Sequence, residues 1–182
     1  MHENINDYEL PGAPKTPRGT GELVLYLDFD GVLHHENCWW HPRKGPYLQA
    51  PARYSLFQHS DLLAGVLKRY PLWKIVLSTS WVTSYGCDRT AARLPQELQD
   101  RVIGATFHSQ MNKSAFQRLP RGLQVLHDVR RRLPGQWIAL DDNTDGWPDW
   151  TKDRFIETHQ YEGISDPPVL ERLEKALEKY SS

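Results

Sequence analysis

Asp28 and Asp30 stand one residue apart at the end of an apolar run, and Asp141 and Asp142 end another. Carboxylates this close repel unless a cation sits among them. With oxygen donors only, the natural neutraliser is a hard divalent ion, and Mg²⁺ combines few carboxylates with waters and substrate phosphate. Such an ion would screen an incoming phosphate from the acids. One Asp can then attack phosphorus to form an aspartyl-phosphate, while a neighbour protonates the leaving group and later activates water. A third polar cluster, Ser78-Thr79-Ser80, also follows an apolar run. The hydroxyls of Thr79 and Ser80, with nearby backbone N–H groups, can hold phosphoryl oxygens. Taken alone, Asp-x-Asp could merely cap a turn. Three clusters, each behind an apolar run, point instead to phosphoryl transfer.

The elements that must position these residues follow from hydrophobic patterning. Leu23-Val24-Leu25-Tyr26-Leu27 is unbroken, which suits a strand buried on both faces. Trp73 to Leu77 and Gln136 to Leu140 read the same way; Val102-Ile103 and Phe155-Ile156 predict shorter strands. Helical spacing covers Ser60 to Tyr70 (Ser60 as N-cap), 88–100 interrupted at Pro95, Gly122 to Leu133, and Leu170 to Leu177. Residues 34–58 form an irregular, aromatic-rich insertion, and 108–120 read as loop. Strands alternating with helices predict an α/β fold with a parallel sheet. Ligands in such folds sit at the carboxyl ends of the strands, where all three clusters fall.

The 182 residues fit one catalytic domain over 21–182 behind a flexible arm over 1–20. That arm is polar, with Pro11, Pro14 and Pro17 and no apolar core, so no signal peptide is expected. No run approaches a membrane span, and the expected location is cytoplasmic. A net charge of -1 excludes a global basic field for nucleic acid. Cys38 and Cys87 lie far apart and are expected to be reduced thiols. His34, His35 and His41 with Cys38 lack the spacing of a closed zinc set; cleft lining is the expected use of His34 and His35. Trp39, Trp40 and Tyr47 either stack on a flat group of the substrate or pack the insertion. Trp147 and Trp150 are expected to pack, and Arg130 to Arg132 to form a solvated helix face.

Asp28-Phe29-Asp30-Gly31-Val32-Leu33 resembles motif I of the haloacid dehalogenase-like (HAD) superfamily. Ser78-Thr79-Ser80-Trp81 resembles motif II, and Asp141-Asp142 with Asp145 resembles motif IV. More narrowly, the stretch from Leu25 to about Leu177 is similar to the small HAD domains of Swiss-Army-knife RNA repair proteins and their stand-alone bacterial relatives. The resemblance implies a three-layer Rossmann-like HAD fold with a central parallel sheet and a minimal cap. It implies Asp28 as nucleophile, Asp30 as general acid/base and Thr79 as the motif II hydroxyl. Mg²⁺ would be held by Asp28, Asp30 through its carbonyl, and Asp142, with Asp141 supporting. Ser80, Gly31, His34 and Trp40 are the expected substrate contacts. Arg121 occupies the usual place of the motif III cation, with Lys113 and Arg118 as competitors, and Arg can bind phosphate bidentately. Val82 departs from the Arg that related domains often carry. The implied activity is a Mg²⁺-dependent phosphomonoester hydrolase acting on a small molecule, a nucleotide or a nucleic-acid end, with no membrane and no obligate protein partner. A non-catalytic binding or regulatory module, or a phosphotransferase, are the alternative readings.

Overall fold

The computed structural model of the protein describes residues 18–181. The apolar runs become β1 (Leu23–Leu27), β4 (Trp73–Leu77) and β6 (Gln136–Asp141), with shorter β5 (Val102–Ala105) and β7 (Phe155–Glu157). They form one parallel sheet in the order β5-β4-β1-β6-β7. β1 therefore lies at the centre, between the two strands that carry the other polar clusters. In the register, Leu27 pairs with both Leu77 and Leu140. Asp28, Ser78 and Asp141 thus leave the sheet at the same level.

Side chains alternate across this sheet. Leu25, Leu27, Phe29, Ile75, Leu77, Ile138 and Leu140 face one way, onto α1 (Ser60–Lys68) and α7 (Pro167–Tyr180). Val24, Tyr26, Val76, Trp137 and Ala139 face the other, onto α6 (Arg121–Arg132). Both faces are buried, so each fully buried aliphatic side chain contributes about 1.5–3 kcal/mol of transfer free energy. The short helices α2 (Trp81–Tyr85), α3 (Cys87–Ala91) and α4 (Gln96–Gln99) connect β4 to β5 and extend the first face through Trp81, Val82, Leu94 and Leu98. Cys38 and Cys87 are free thiols. Among the described residues, no helix is long and apolar enough to cross a membrane.

Several expectations need correction. The insertion over 34–58 is not wholly irregular: β2 (Cys38–His41) and β3 (Gly45–Leu48) form an antiparallel hairpin. Its three-residue loop, 42–44, leads into Gly45, which opens β3 at φ 73°, the left-handed conformation such a hairpin requires. Within 108–120 lies α5 (Lys113–Arg118), which the Asn112 side chain caps by accepting from the Ala115 N–H. Only Phe116 anchors this helix in the interior, so no apolar period reveals it. Ser60 does not cap α1; His59 holds the cap position and the Ser60 hydroxyl is buried with no partner. Arg132 is not solvated but buried against Asp128, and Arg131 pairs with the same carboxylate. The expected arm lies, up to residue 17, outside the described residues. Its last three, 18–20, form a turn, and the Arg18 carbonyl accepts from Arg132.

Candidate active site

The register brings Asp28, Thr79 and Asp141 together, and all three are almost fully buried. A strand that ends inside the fold needs partners for its last backbone polar groups, and here the neighbouring strands supply them. The Asp28 N–H donates to the Leu140 carbonyl and the Ser78 N–H to the Leu27 carbonyl, which fixes the heights of motifs I and II. Beyond Asp30 the chain turns at Gly31, at φ 67°. A Cβ there would collide with the Asp142 carboxylate, so glycine is what lets Asp142 fold over the motif I loop. Thr158, just past β7, donates to the Gly31 carbonyl at 2.7 Å and holds the loop from below.

Arg121, the first residue of α6, is the cation that reaches the carboxylates. Its Nη2 lies 3.4 Å from Asp28 Oδ2 and its Nε lies 3.2 Å from Asp141 Oδ2. Its Nη1 also donates to the Ser78 carbonyl at 2.6 Å, tying motif II to the same side chain. Lys113 and Arg118 are exposed. Burial works against the charge on Arg121, but Asp28, Asp141, Asp142 and Asp30 outweigh it and raise its pKa. One guanidinium does not balance four carboxylates. Burial raises the pKa of Asp28; Arg121 opposes this and Asp30 adds to it. Burial and then Asp28 push Asp141 well up despite Arg121. Burial, Asp28 and Glu36 push Asp142 from 3.8 up to about 7.

The donor set fits a hard divalent cation. Asp28, Asp141 and Asp142 place one carboxylate oxygen each within 4.8 Å of one another. Asp28 Oδ1 and Asp141 Oδ2 are buried and accept no hydrogen bond. Arg121 faces the latter by charge alone, without an aligned N–H. Buried carboxylate oxygens without partners are costly unless a cation compensates them. Asp141 Oδ1 accepts from the Asn143 N–H at 3.0 Å, whereas Asp142 is partly exposed. All donors are oxygens, the set that Mg²⁺ prefers.

Asp30 stands apart from this group, on the side of an open cleft of about 560 Å³. Trp39, Trp40 and Pro46 of the hairpin form one wall, and Ser80, Tyr85 and Lys113 belong to the others. Trp39 and Trp40 are more than half exposed, so the rings are presented to the cleft rather than packed away. Ser80 is exposed at the cap position of α2. The expectation that His34 and His35 line the cleft is corrected. Both are buried, and His34 is wholly so, with its Nε2 3.0 Å from Asp30 Oδ1. Trp81, which the sequence marks only as the last residue of motif II, donates from Nε1 to both Asp30 oxygens at 3.2 and 3.0 Å. Its position directly after the motif II hydroxyls is the available signal for that role. Of the other aromatics, Trp147 stacks on Phe155, while Trp150 meets Trp137 edge-on at a centroid distance of 6.4 Å and is otherwise largely exposed.

The profile of one family, described as the HAD domain in Swiss Army Knife RNA repair proteins, matches residues 24–169. Those residues run from β1 into α7 and include all three polar clusters, the hairpin and Arg121. Among curated proteins and among solved structures, no match to the chain is found. With the matched region covering most of the 182 residues, the chain belongs to the family of HAD domains found in Swiss Army Knife RNA repair proteins.

Proposed function

We propose that the protein is a Mg²⁺-dependent phosphomonoesterase that works through an aspartyl-phosphate on Asp28, with a nucleotide or a nucleic-acid end as substrate. The observation that carries this reading is Arg121 bridging Asp28 and Asp141 while Asp30, held by His34 and Trp81, faces the cleft. A nucleophile and an acid/base thus occupy different environments at one strand end. Family membership supports a phosphatase-type hydrolase.

Asp28, Asp142 and the Asp30 carbonyl would hold the ion, with Asp141 behind them. When bound, Mg²⁺ supplies charge neutralisation for the phosphoryl group and the carboxylates. Arg121 restrains Asp28 and offers its remaining N–H groups to phosphoryl oxygens. The buried Thr79 hydroxyl stands beside Asp28 and helps to keep it ionised. Asp28 attacks phosphorus, and the ester oxygen departs with the proton that Asp30 carries. Asp30, now ionised, takes a proton from water as that water attacks the acyl phosphate. Phosphate leaves and Asp28 is restored. The Trp39 and Trp40 faces and the Lys113 ammonium suit a base and a second phosphate in the leaving group. The test is phosphate release from a panel of mononucleotides and end-phosphorylated oligonucleotides with Mg²⁺. Wild-type release no greater than that of Asp28→Asn on every ester would sink this reading.

A further inference from the structure

Asp30 is held more closely than an acid/base at the mouth of a cleft needs to be. The His34 ring is fully buried, and its Nδ1 accepts from the Phe57 backbone N–H at 3.2 Å. That hydrogen bond assigns the ring hydrogen to Nε2, which then donates to Asp30 Oδ1. The indole Nε1–H of Trp81 can only donate, and it is closer to Oδ2 than to Oδ1. His34 and Trp81 both reach Oδ1 and only Trp81 reaches Oδ2, so Oδ2 is the oxygen that these two donors leave more open. The support behind His34 carries strain. Phe57 sits at φ 59°, a region unfavourable for an aromatic residue. Leu133, the only other non-glycine with positive φ among the described residues, is a helix cap; Phe57 is not. Its ring meets those of Phe29, His34 and Trp81 edge-on, at centroid distances of 5.2, 4.9 and 5.4 Å. This packing holds the Phe57 amide in line with His34.

We propose that His34 and Trp81 are positioning residues for Asp30, enclosing Oδ1 and aiming Oδ2 at the leaving group in the cleft. The proposal rests on the reading of Asp30 as the general acid. Cys38 Sγ also lies near Asp30 and His34, and the three together have the make-up of a soft-metal site. The Phe57 amide argues against that use: with Nδ1 taken, Nε2 carries hydrogen and offers no lone pair.

A general acid matters most when the leaving group is a poor one. Two esters differing by one methylene, 4-nitrophenyl phosphate and 4-nitrobenzyl phosphate, therefore separate acid positioning from general damage. With Mg²⁺ present, Trp81→Phe and His34→Leu should lose about 10- to 100-fold more kcat/KM on the benzyl ester than on the phenyl ester. His34→Gln keeps one donor and one acceptor and should recover most of that difference. Equal losses on both esters, or a Gln variant no better than Leu, would overturn the proposal. The ¹⁵N spectrum of His34 gives a second, activity-free decision. A hydrogen on Nε2 with Mg²⁺ present supports the proposal. A hydrogen on Nδ1, or displacement of the Nε2 hydrogen by stoichiometric Zn²⁺, overturns it. If wild type and Asp28→Asn release the same phosphate from both esters, the phosphatase reading fails, and with it the acid role of Asp30. The imidazole spectrum then reports on the hydrogen-bond geometry alone.

Discussion

Helix α6 carries two buried polar clusters onto the same face of the sheet, and they are built on opposite terms. At its first residue, Arg121 faces Asp28 and Asp141, with Asp142 beside them. Seven to eleven residues later, Asp128, Arg131 and Arg132 face Tyr26. In the second cluster, one carboxylate accepts from the Tyr26 hydroxyl at 2.9 Å, from Arg132 Nε at 2.6 Å and from Arg131. Both its oxygens are satisfied, and Arg132 also reaches the Arg18 carbonyl. In the first cluster, carboxylates outnumber the cation and two buried oxygens accept no hydrogen bond. The saturated Asp128 carboxylate ties the helix to the strand, and Arg131 Nε is the atom of this cluster that is buried without a partner. The surplus of negative charge has no structural use that the neighbouring residues reveal, and it is the surplus that the proposed metal would neutralise.

This contrast can be broken by experiment. The largest effect is on catalysis: Asp28→Asn should lower phosphate release by at least about 10³-fold. Because it also removes surplus buried charge, the melting temperature should stay level or rise. A clear fall in melting temperature would mean that the first cluster is structural after all. Next in size is Asp128→Leu, which leaves Arg132 buried and unpaired and should lower the unfolding free energy by about 3–5 kcal/mol in denaturant titrations. Mg²⁺ should not restore it. Arg121→Met should cost less, about 1–3 kcal/mol, since carboxylates with raised pKa values can take up protons instead. Here saturating Mg²⁺ should recover stability; an absence of recovery would separate the acids from metal binding.

A graded effect concerns pH. The Asp142 carboxyl is raised from 3.8 to about 7 in the folded protein. Between those values the folded state binds more protons than the unfolded state, so stability without metal falls as pH rises. Partial exposure of Asp142 screens the effect and keeps it small. Thermal melts of chelator-treated protein across this window should show the decline, and excess Mg²⁺ should flatten it. A stability that rises with pH would reverse the assigned sign. The smallest effect is at the hairpin, where Trp40→Ala should raise KM for an end-phosphorylated oligonucleotide at least about fivefold. An unchanged KM would leave the hairpin without a part in substrate choice.

Much of the scaffold was legible because its strands are buried on both faces. Such strands appear as unbroken apolar runs, and those of β1, β4 and β6 ended where the polar clusters began. The hairpin and α5 were not legible. Trp39 and Trp40 are largely exposed, and α5 has the single anchor Phe116, so neither leaves a periodic imprint. His34 shows the same limit at the site. Its place directly after motif I suggested a cleft-lining role, but the strained Phe57 amide and the Trp81 ring turn it inward.

By itself, the sequence determined the parallel α/β frame and the carboxylates that cluster at one edge of it. Apolar runs and residue types are local properties, and the parallel topology carries their ends to a common level. Only the tertiary structure decided that Arg121 bridges Asp28 and Asp141, that Asp142 folds over Gly31, and that His34 and Trp81 hold Asp30. Those contacts join residues up to 111 positions apart, as between Gly31 and Asp142, and depend on side-chain reach across packed elements. No local pattern of residues encodes that distance.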